Sequence, residues 1–198
     1  MGKSVHVEFG HTEDEVLVWS DFASKVTIWC LRTGRTVEIK DPKFSGREGK
    51  GWGFRPGEKP LVLALLCRNS GQDVLLLVAG ASYRVLKRVE LATVDAQGIK
   101  WSRDGRWIAV WDSPGAGYKV CVYTADGHLY RAIGGDRAEG DIEGLGVKSV
   151  EWAHGNQYLA VGGWDTRVRM FSSTTVRCFK PLELPIYSLL THYSSRLL

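Results

Sequence analysis

The group of residues best suited to chemistry is a short polar corner, Trp164-Asp165-Thr166-Arg167, between two runs whose apolar residues alternate as in β-strands. A carboxylate in a tight turn accepts hydrogen bonds from nearby backbone N–H groups and holds the turn closed. No acid or base stands at a fixed spacing from Asp165 to form a catalytic pair with it. We therefore predict that Asp165 is a structural corner residue.

Other groupings that carry chemistry in known proteins are incomplete here. Gly2-Lys3-Ser4 copies the tail of a phosphate-binding loop but lacks its earlier glycine and the strand before it. The glycine-rich segment 49–53 does not complete a dinucleotide motif, and Ser82 lacks the second glycine of a nucleophile elbow. The five histidines do not have metal-ligand spacing. The sequence predicts no catalytic residue, no cofactor and no metal.

Charge and cysteine content narrow the class of protein further. The formal net charge is +4, and the basic residues are interleaved with acidic ones, so dedicated binding of nucleic acid or of an anionic membrane is not expected. The most apolar stretch, residues 61–79, is interrupted by polar residues, which predicts a buried hairpin and not a membrane span. Four cysteines stand far apart without CxxC spacing and are predicted to be reduced: Cys30, Cys67, Cys121 and Cys178.

The elements that position these residues come from a repeated pattern. Four units of strand, polar turn and strand follow one another, near residues 5–40, 51–92, 98–134 and 146–180. The aromatic residues that end their first strands recur about every 45 to 50 residues, as expected for four-stranded repeats with loops of variable length. In the third unit Lys119, Cys121 and Tyr123 are predicted to share one face of a strand, and Val120 and Val122 the other.

This pattern predicts an all-β protein, a β-propeller segment of about four blades spanning residues 1–184, followed by an unaligned tail at 185–198. In the fourth unit it places the last strand near Val176–Phe179.

A second Trp-Asp pair, Trp111-Asp112, ends a second strand in the third unit. In a ring of such units the turns after second strands lie on one rim, so Trp111, Asp112, Trp164 and Arg167 are our candidate partner-binding residues. Tryptophan and arginine are enriched among the residues that dominate protein interfaces. The alternative, in which Trp111 and Trp164 pack between neighbouring blades, stays open.

Several segments of the third and fourth units resemble WD repeats, with a glycine before the first strand, a polar turn and a small-residue second strand. They are residues 98–101, 108–112, 145–152 and 158–162, and the upstream piece 39–43 also fits. Within the WD-repeat family the likeness is to its centrosomal and spindle-pole members, and it is specific from about Gly98 to Arg169. These members are longer, so the resemblance implies blades of a larger propeller, seven-bladed or double. Whether the chain is a truncated gene model or splice product stays open.

The resemblance also implies a function. It implies a non-enzymatic scaffold of the cytoplasm and cytoskeleton, at the spindle pole body or centrosome, that anchors microtubule minus ends and organises the mitotic spindle. Its implied partners are a coiled-coil anchoring protein and a minus-end-directed kinesin.

Two other classes of function remain. One is a WD-repeat interaction module of another intracellular complex, for RNA processing or trafficking, because one fold hosts many functions. The other is a propeller enzyme, which needs a hydrolase domain or convergent acid and base residues that this sequence lacks.

Overall fold

The computed structural model describes residues 5–20, 24–43, 51–57, 60–134 and 145–173, together with the backbone of 182–183. The unaligned tail at 185–198 and the strand predicted at Val176–Phe179 lie outside these residues, and so does Cys178.

Four antiparallel sheets of four strands follow one another along the chain, each in simple sequential order. We number them sheets 1 to 4. Sheet 1 contains β1 (Val5–Phe9), β2 (Glu15–Ser20), β3 (Lys25–Cys30) and β4 (Thr36–Lys40). Sheet 2 contains β5 (Trp52–Phe54), β6 (Val62–Asn69), β7 (Gln72–Ala79) and β8 (Val85–Glu90). Sheet 3 contains β9 (Ala96–Trp101), β10 (Trp107–Asp112), β11 (Lys119–Thr124) and β12 (Leu129–Gly134). Sheet 4 contains β13 (Val147–Trp152), β14 (Tyr158–Gly163), β15 (Arg167–Ser172) and β16 (Leu182–Glu183).

The predicted all-β class is confirmed, and the one helix among the described residues is a single 3-10 turn at Pro114–Ala116. The buried hairpin expected within residues 61–79 is the pair β6 and β7, which align over their full length. Ser70 and Gly71 form its two-residue turn, both at positive φ, as the twist of a tight hairpin requires.

The sheets are stacked face to face, and three apolar cores lie between them. One core joins sheets 1 and 2, the next joins sheets 2 and 3, and the third joins sheets 3 and 4. Strand β11 serves two of these cores, because Cys121 and Tyr123 face sheet 2 whereas Val120 and Val122 face sheet 4. The middle strands of sheets 2 and 3 are therefore covered on both faces, which explains why β6, β7, β10 and β11 have nearly continuous apolar sequences.

Neighbouring first strands are joined by the tryptophans that end them. The indole Nε1–H of Trp101 in β9 donates to the carbonyl oxygen of Gly53 in β5 at 2.9 Å. The indole Nε1–H of Trp152 in β13 donates in the same way to the carbonyl oxygen of Lys100 in β9 at 3.1 Å. Phe54 stands at the equivalent place in β5 and has no donor, so this kind of bond does not join sheet 1 to sheet 2.

Sheets 1 and 2 use other contacts. Tyr83, in the turn before β8, donates its hydroxyl hydrogen to Glu15 Oε2 at 2.8 Å. Trp19 and Trp52 meet edge to face, with ring centroids 6.5 Å apart.

We expect Trp152→Phe to lower the free energy of unfolding by about 1–2 kcal/mol, because it keeps the aromatic packing but leaves a part-buried carbonyl without its donor. Urea denaturation monitored by circular dichroism measures this. The matched control is Trp164→Phe, whose ring is 42% exposed and for which we expect a change within about 0.5 kcal/mol. Equal losses in the two variants would contradict a role for the indole bond.

The face of sheet 1 that points away from sheet 2 is apolar and open. Val5, Val7 and Phe9 on β1 are 61–65% exposed, and Trp29 on β3 is 46% exposed. The opposite face of the same sheet carries Leu17 and Ile28, which are buried against sheet 2.

We therefore expect the 198-residue chain by itself to self-associate through this open face, since contiguous apolar surface favours association. The double variant Val7→Lys and Phe9→Lys shifts the chain toward monomer in sedimentation velocity. The control Leu129→Lys, at a 48% exposed position on β12, leaves the distribution unchanged. A wild-type chain that is monomeric at micromolar concentration would contradict this expectation.

Candidate functional site

The turns after the second strands and the connections between sheets meet at one end of the stack, because all first strands begin there. We call this end the connector rim and define it by residues 41–43, 70–73, 91–95, 112–119, 145–148 and 164–167. It includes four of the five residues singled out from the sequence, and the fifth, Trp111, lies next to it in β10.

Asp112 ends β10 and holds the connection between sheets 2 and 3. Its side chain is fully buried, and its carboxylate accepts backbone N–H hydrogen bonds from Val94 at 3.0 Å and from Asp95 at 2.7 Å. Burial raises the pKa of Asp112, and the two N–H groups oppose that rise. The carboxylate thus replaces strand partners for a stretch of backbone that belongs to no sheet.

Asp73, at the start of β7, secures the end of the same connection. Its buried carboxylate accepts the Ala96 N–H at 2.5 Å and a hydrogen bond from Lys43 Nζ at 2.8 Å. Lys43 also donates to Asp95 Oδ1 at 2.7 Å, and Arg68 lies within ion-pair distance of both carboxylates. The Lys43 ammonium holds the pKa of Asp95 at about 2. Two cations and two carboxylates therefore lock three separate segments of the chain together.

Asp165 performs a related task in the turn between β14 and β15. Its Oδ1 accepts the Arg167 N–H at 3.2 Å, across Thr166, whose φ of 61° is unusual for a β-branched residue. The buried guanidinium of Arg169 donates to both oxygens, at 3.2 and 2.6 Å, and lies 4.7 Å from the centroid of the Tyr118 ring, directly before β11 of sheet 3. Arg169 is the largest cause of the lowered pKa of Asp165. Asp165 thus couples its own turn to the neighbouring sheet.

The four candidate partner-binding residues do not share one environment. Trp111 is 4% exposed and its ring lies so close to Gly98 that a Cβ there would stand 2.4 Å from the ring. Trp111 packs between sheets 3 and 4, and Asp112 is also inside, so the structure corrects the expectation that these two side chains are accessible on the rim. For Trp111, the structure agrees with the other expectation from the sequence, which was packing between neighbouring blades.

Trp164 and Arg167 lie on the surface of the rim. The Trp164 ring is 42% exposed, and the Lys148 ammonium stands 4.6 Å from its centroid. The backbone N–H of Trp164 donates to the Gly146 carbonyl oxygen at 3.1 Å. The backbone that carries the indole is therefore fixed to the connection that enters sheet 4. Lys148 was not singled out from the sequence, although its place two residues after Gly146 puts it at the start of a first strand.

Two comparisons with solved structures identify the arrangement. The chain superposes on the dihydro-heme d1 dehydrogenase NirN, in complex with DHE, with a TM-score of 0.64 and 13% identity, over 89% of this chain and 36% of that one. It superposes on the Dos1 propeller with a TM-score of 0.63 and 10% identity, over 91% of this chain and 47% of that one. The chain has the β-propeller fold. Each of its four sheets is a propeller blade.

Two curated proteins are similar in sequence, and both carry WD repeats. The WD repeat-containing protein WRAP73 of Mus musculus is 31% identical over 160 residues, which cover 81% of this chain and 32% of that protein. An uncharacterized WD repeat-containing protein of Schizosaccharomyces pombe is 29% identical over 164 residues, with the same coverage. These relatives support the WD-repeat family, and the chain spans about a third of their length. No protein-family model matches the chain.

Three further observations concern metal ligands, cysteine thiols and membrane-spanning helices. Within the described residues, no set of three or more His, Cys, Asp or Glu side chains is arranged to hold a metal ion. Cys30, Cys67 and Cys121 are free thiols, and burial raises the pKa of Cys67 to about 12 and that of Cys121 to about 11. In that same part of the chain no helix has the length and apolar character to cross a membrane.

We expect Asp165→Ala to lower the free energy of unfolding by about 3 kcal/mol, because it leaves the buried Arg169 guanidinium without its counter-charge. Adding Arg169→Met should recover a large part of this loss, since the double variant has no buried charge to compensate. Chemical denaturation of the three proteins measures both effects.

The control is Glu151→Ala, which removes an exposed partner of Lys100 and is expected to cost less than about 1 kcal/mol. A double variant that is less stable than Asp165→Ala would contradict the proposed pairing.

Proposed function

We propose that this propeller segment is part of a non-catalytic scaffold that binds other proteins through the connector rim, at the spindle pole body or centrosome. There it takes part in anchoring microtubule minus ends and in organising the mitotic spindle. The partners that fit this role are a coiled-coil anchoring protein and a minus-end-directed kinesin.

The observation that carries the binding role is the exposed Trp164 indole on a fixed turn. A large aromatic group is normally buried, and one held in solvent by a rigid backbone loses little conformational entropy when it binds. Arg167, at the start of β15 and two positions before the buried Arg169, adds an exposed cation of the type enriched in interfaces. Both residues stand within the region of closest resemblance to spindle-pole WD-repeat proteins.

The spindle-pole assignment rests on that resemblance. The two relatives that match the chain over most of its length support the WD-repeat family. We also propose that, among the centrosomal members of the family, the chain is most similar to the one called WD-repeat protein eight. WD-repeat relatives favour an interaction role over an enzymatic one.

The test is localisation of the longest gene product that contains this chain, tagged with a fluorescent protein and followed through mitosis. We expect the wild type to concentrate at spindle poles. We expect Trp164→Ala combined with Arg167→Glu to disperse it while the melting temperature stays within about 2 °C of wild type, since both side chains are at the surface. Trp111 is unsuitable for this test because its substitution would disturb the core.

The matched control is Leu129→Ala combined with Arg131→Glu, which removes an exposed apolar residue and an exposed arginine from β12, outside the connector rim. We expect this control to remain at the spindle poles. Diffuse wild-type signal throughout mitosis would refute the spindle-pole role, and equal dispersal by the control pair would refute the connector rim as the binding surface.

A further inference from the structure

Ser113 is the one serine or threonine in the sequence that a proline follows. Pro114 comes directly after it, and the other five prolines follow Asp, Arg, Lys or Leu. A hydroxyl residue directly before proline is the phosphate acceptor that proline-directed kinases recognise. The pair lies in the connector rim, in the turn from β10 to β11. The question is whether this turn leaves the hydroxyl open to modification and what a phosphate would do there.

The turn that carries Ser113 is not packed into the protein. None of the residues of its 3-10 segment, Pro114–Ala116, is buried. A Cβ placed on Gly115 or on Gly117 would meet no atom within 4 Å, so neither glycine packs against another described part of the chain. Ser113 is half-buried and has extended backbone, with φ −62° and ψ 151°, as the residue before a proline requires. Because kinases bind their substrate segments in extended form, this turn can enter a kinase without disturbing a core.

The Ser113 hydroxyl is directed at the connection between sheets 2 and 3. It does not cap the 3-10 segment that follows it, although serine commonly does so at this position. Hydrogen bonds from Lys43 Nζ and then from the Ser113 hydroxyl lower the pKa of Asp95. The backbone N–H of Ser113 also donates to the Asp95 carbonyl oxygen, at 2.8 Å. Ser113 therefore holds its turn to the connection through both its side chain and its backbone.

The charges around this pair are already balanced. Three carboxylates and three cations of the described residues lie here: Asp73, Asp95, Asp112, Lys43, Arg68 and Lys119. Lys43 and Arg68 each pair with two of these carboxylates. The segments 44–50 and 135–144, which adjoin the connector rim in sequence, contain five acidic and three basic residues and so bring no excess of positive charge. A phosphate adds about two negative charges and would lie beside Asp95 with no cation to spare among the described residues.

We propose that Ser113 is a phosphorylation site for a proline-directed serine/threonine kinase, and that the phosphate releases the connection between sheets 2 and 3 from the turn. In the transfer, Ser113 Oγ forms a bond to the γ-phosphorus of ATP and the bond from that phosphorus to the β,γ-bridging oxygen breaks. ADP leaves, and the hydroxyl proton passes to the catalytic base of the kinase. The phosphoserine no longer donates a hydrogen bond to Asp95 and repels its carboxylate, which loosens residues 92–95 while the sheets stay intact. This holds whichever partner the connector rim binds.

The first test treats the folded 198-residue chain with ATP and with two purified kinases, one cyclin-dependent and one mitogen-activated, and locates the phosphate by mass spectrometry of peptides. We expect phosphate at Ser113, and its loss in Ser113→Ala and in Pro114→Ala, which keeps the hydroxyl but removes the recognised proline. Ser82→Ala is the matched control, since Ser82 is an exposed turn serine without a following proline, and it should leave the incorporation unchanged. No transfer to the folded chain by either kinase, or equal incorporation into Ser113→Ala, would overturn the site.

The second test compares hydrogen–deuterium exchange of the phosphorylated and the unmodified chain. We expect the amides of Val94 and Asp95, which Asp112 holds in the unmodified chain, to exchange about tenfold faster after phosphorylation, while those of β10 and β11 keep their rates. Asp95→Asn removes the repelled charge and should reduce this acceleration to about threefold or less. Asp104→Asn, in the turn at the opposite end of sheet 3, is the matched control and should leave the acceleration unchanged.

Phosphorylation at Ser113 without faster exchange of these amides would overturn the release of the connection. Slower exchange would overturn it as well, because it would mean that Lys43 and Arg68 capture the phosphate.

Discussion

Contact between the first strands of neighbouring blades is the constraint on which the rest of this structure depends. A four-stranded sheet has two faces, and each blade covers one of them only by lying against the next blade. The indoles of Trp101 and Trp152 fix the separation and register of that contact, because each must reach one particular carbonyl of the preceding first strand. Between blades 1 and 2 the Tyr83–Glu15 hydrogen bond and the Trp19–Trp52 edge contact take this place.

Buried carboxylates stabilise the connections between blades. Each blade is joined to the next by a connection that belongs to no sheet, and its N–H groups need acceptors. Asp73 and Asp112 supply them between blades 2 and 3, and the cost of burying these charges is offset by backbone donors and by Lys43. The connector rim is therefore ordered by buried ionic groups beneath it, and its exposed residues Val94 and Trp164 lie on fixed backbone.

Much of the fold could be predicted from local pattern. Period-two alternation placed Cys121 and Val120 on opposite faces of one strand, and the repeat spacing placed the aromatic residues that end the first strands. Local pattern does not show which face another sheet will cover, and for that reason Trp111 and Asp112 were expected to be exposed on the rim although they are buried.

The cluster of Lys43, Asp73 and Asp95 was also not predicted, because it joins three segments that are distant in sequence and no fixed spacing connects them. The one sequence signal for this cluster was that residues 39–43, which include Lys43, fit the WD-repeat pattern. The corner role of Asp165 was predicted from its turn position and remains a prediction, and its partner Arg169 was not foreseen.

The hairpin of β6 and β7 has a consequence for synthesis of the chain on the ribosome. Its strands are apolar on both sides, so it cannot be fully covered until blade 3 exists. Strand β7 ends at Ala79 and strand β11 ends at Thr124, and at 5–20 residues per second the interval lasts about 2 to 10 seconds. During that time one face of a leucine-rich hairpin is open to other nascent chains.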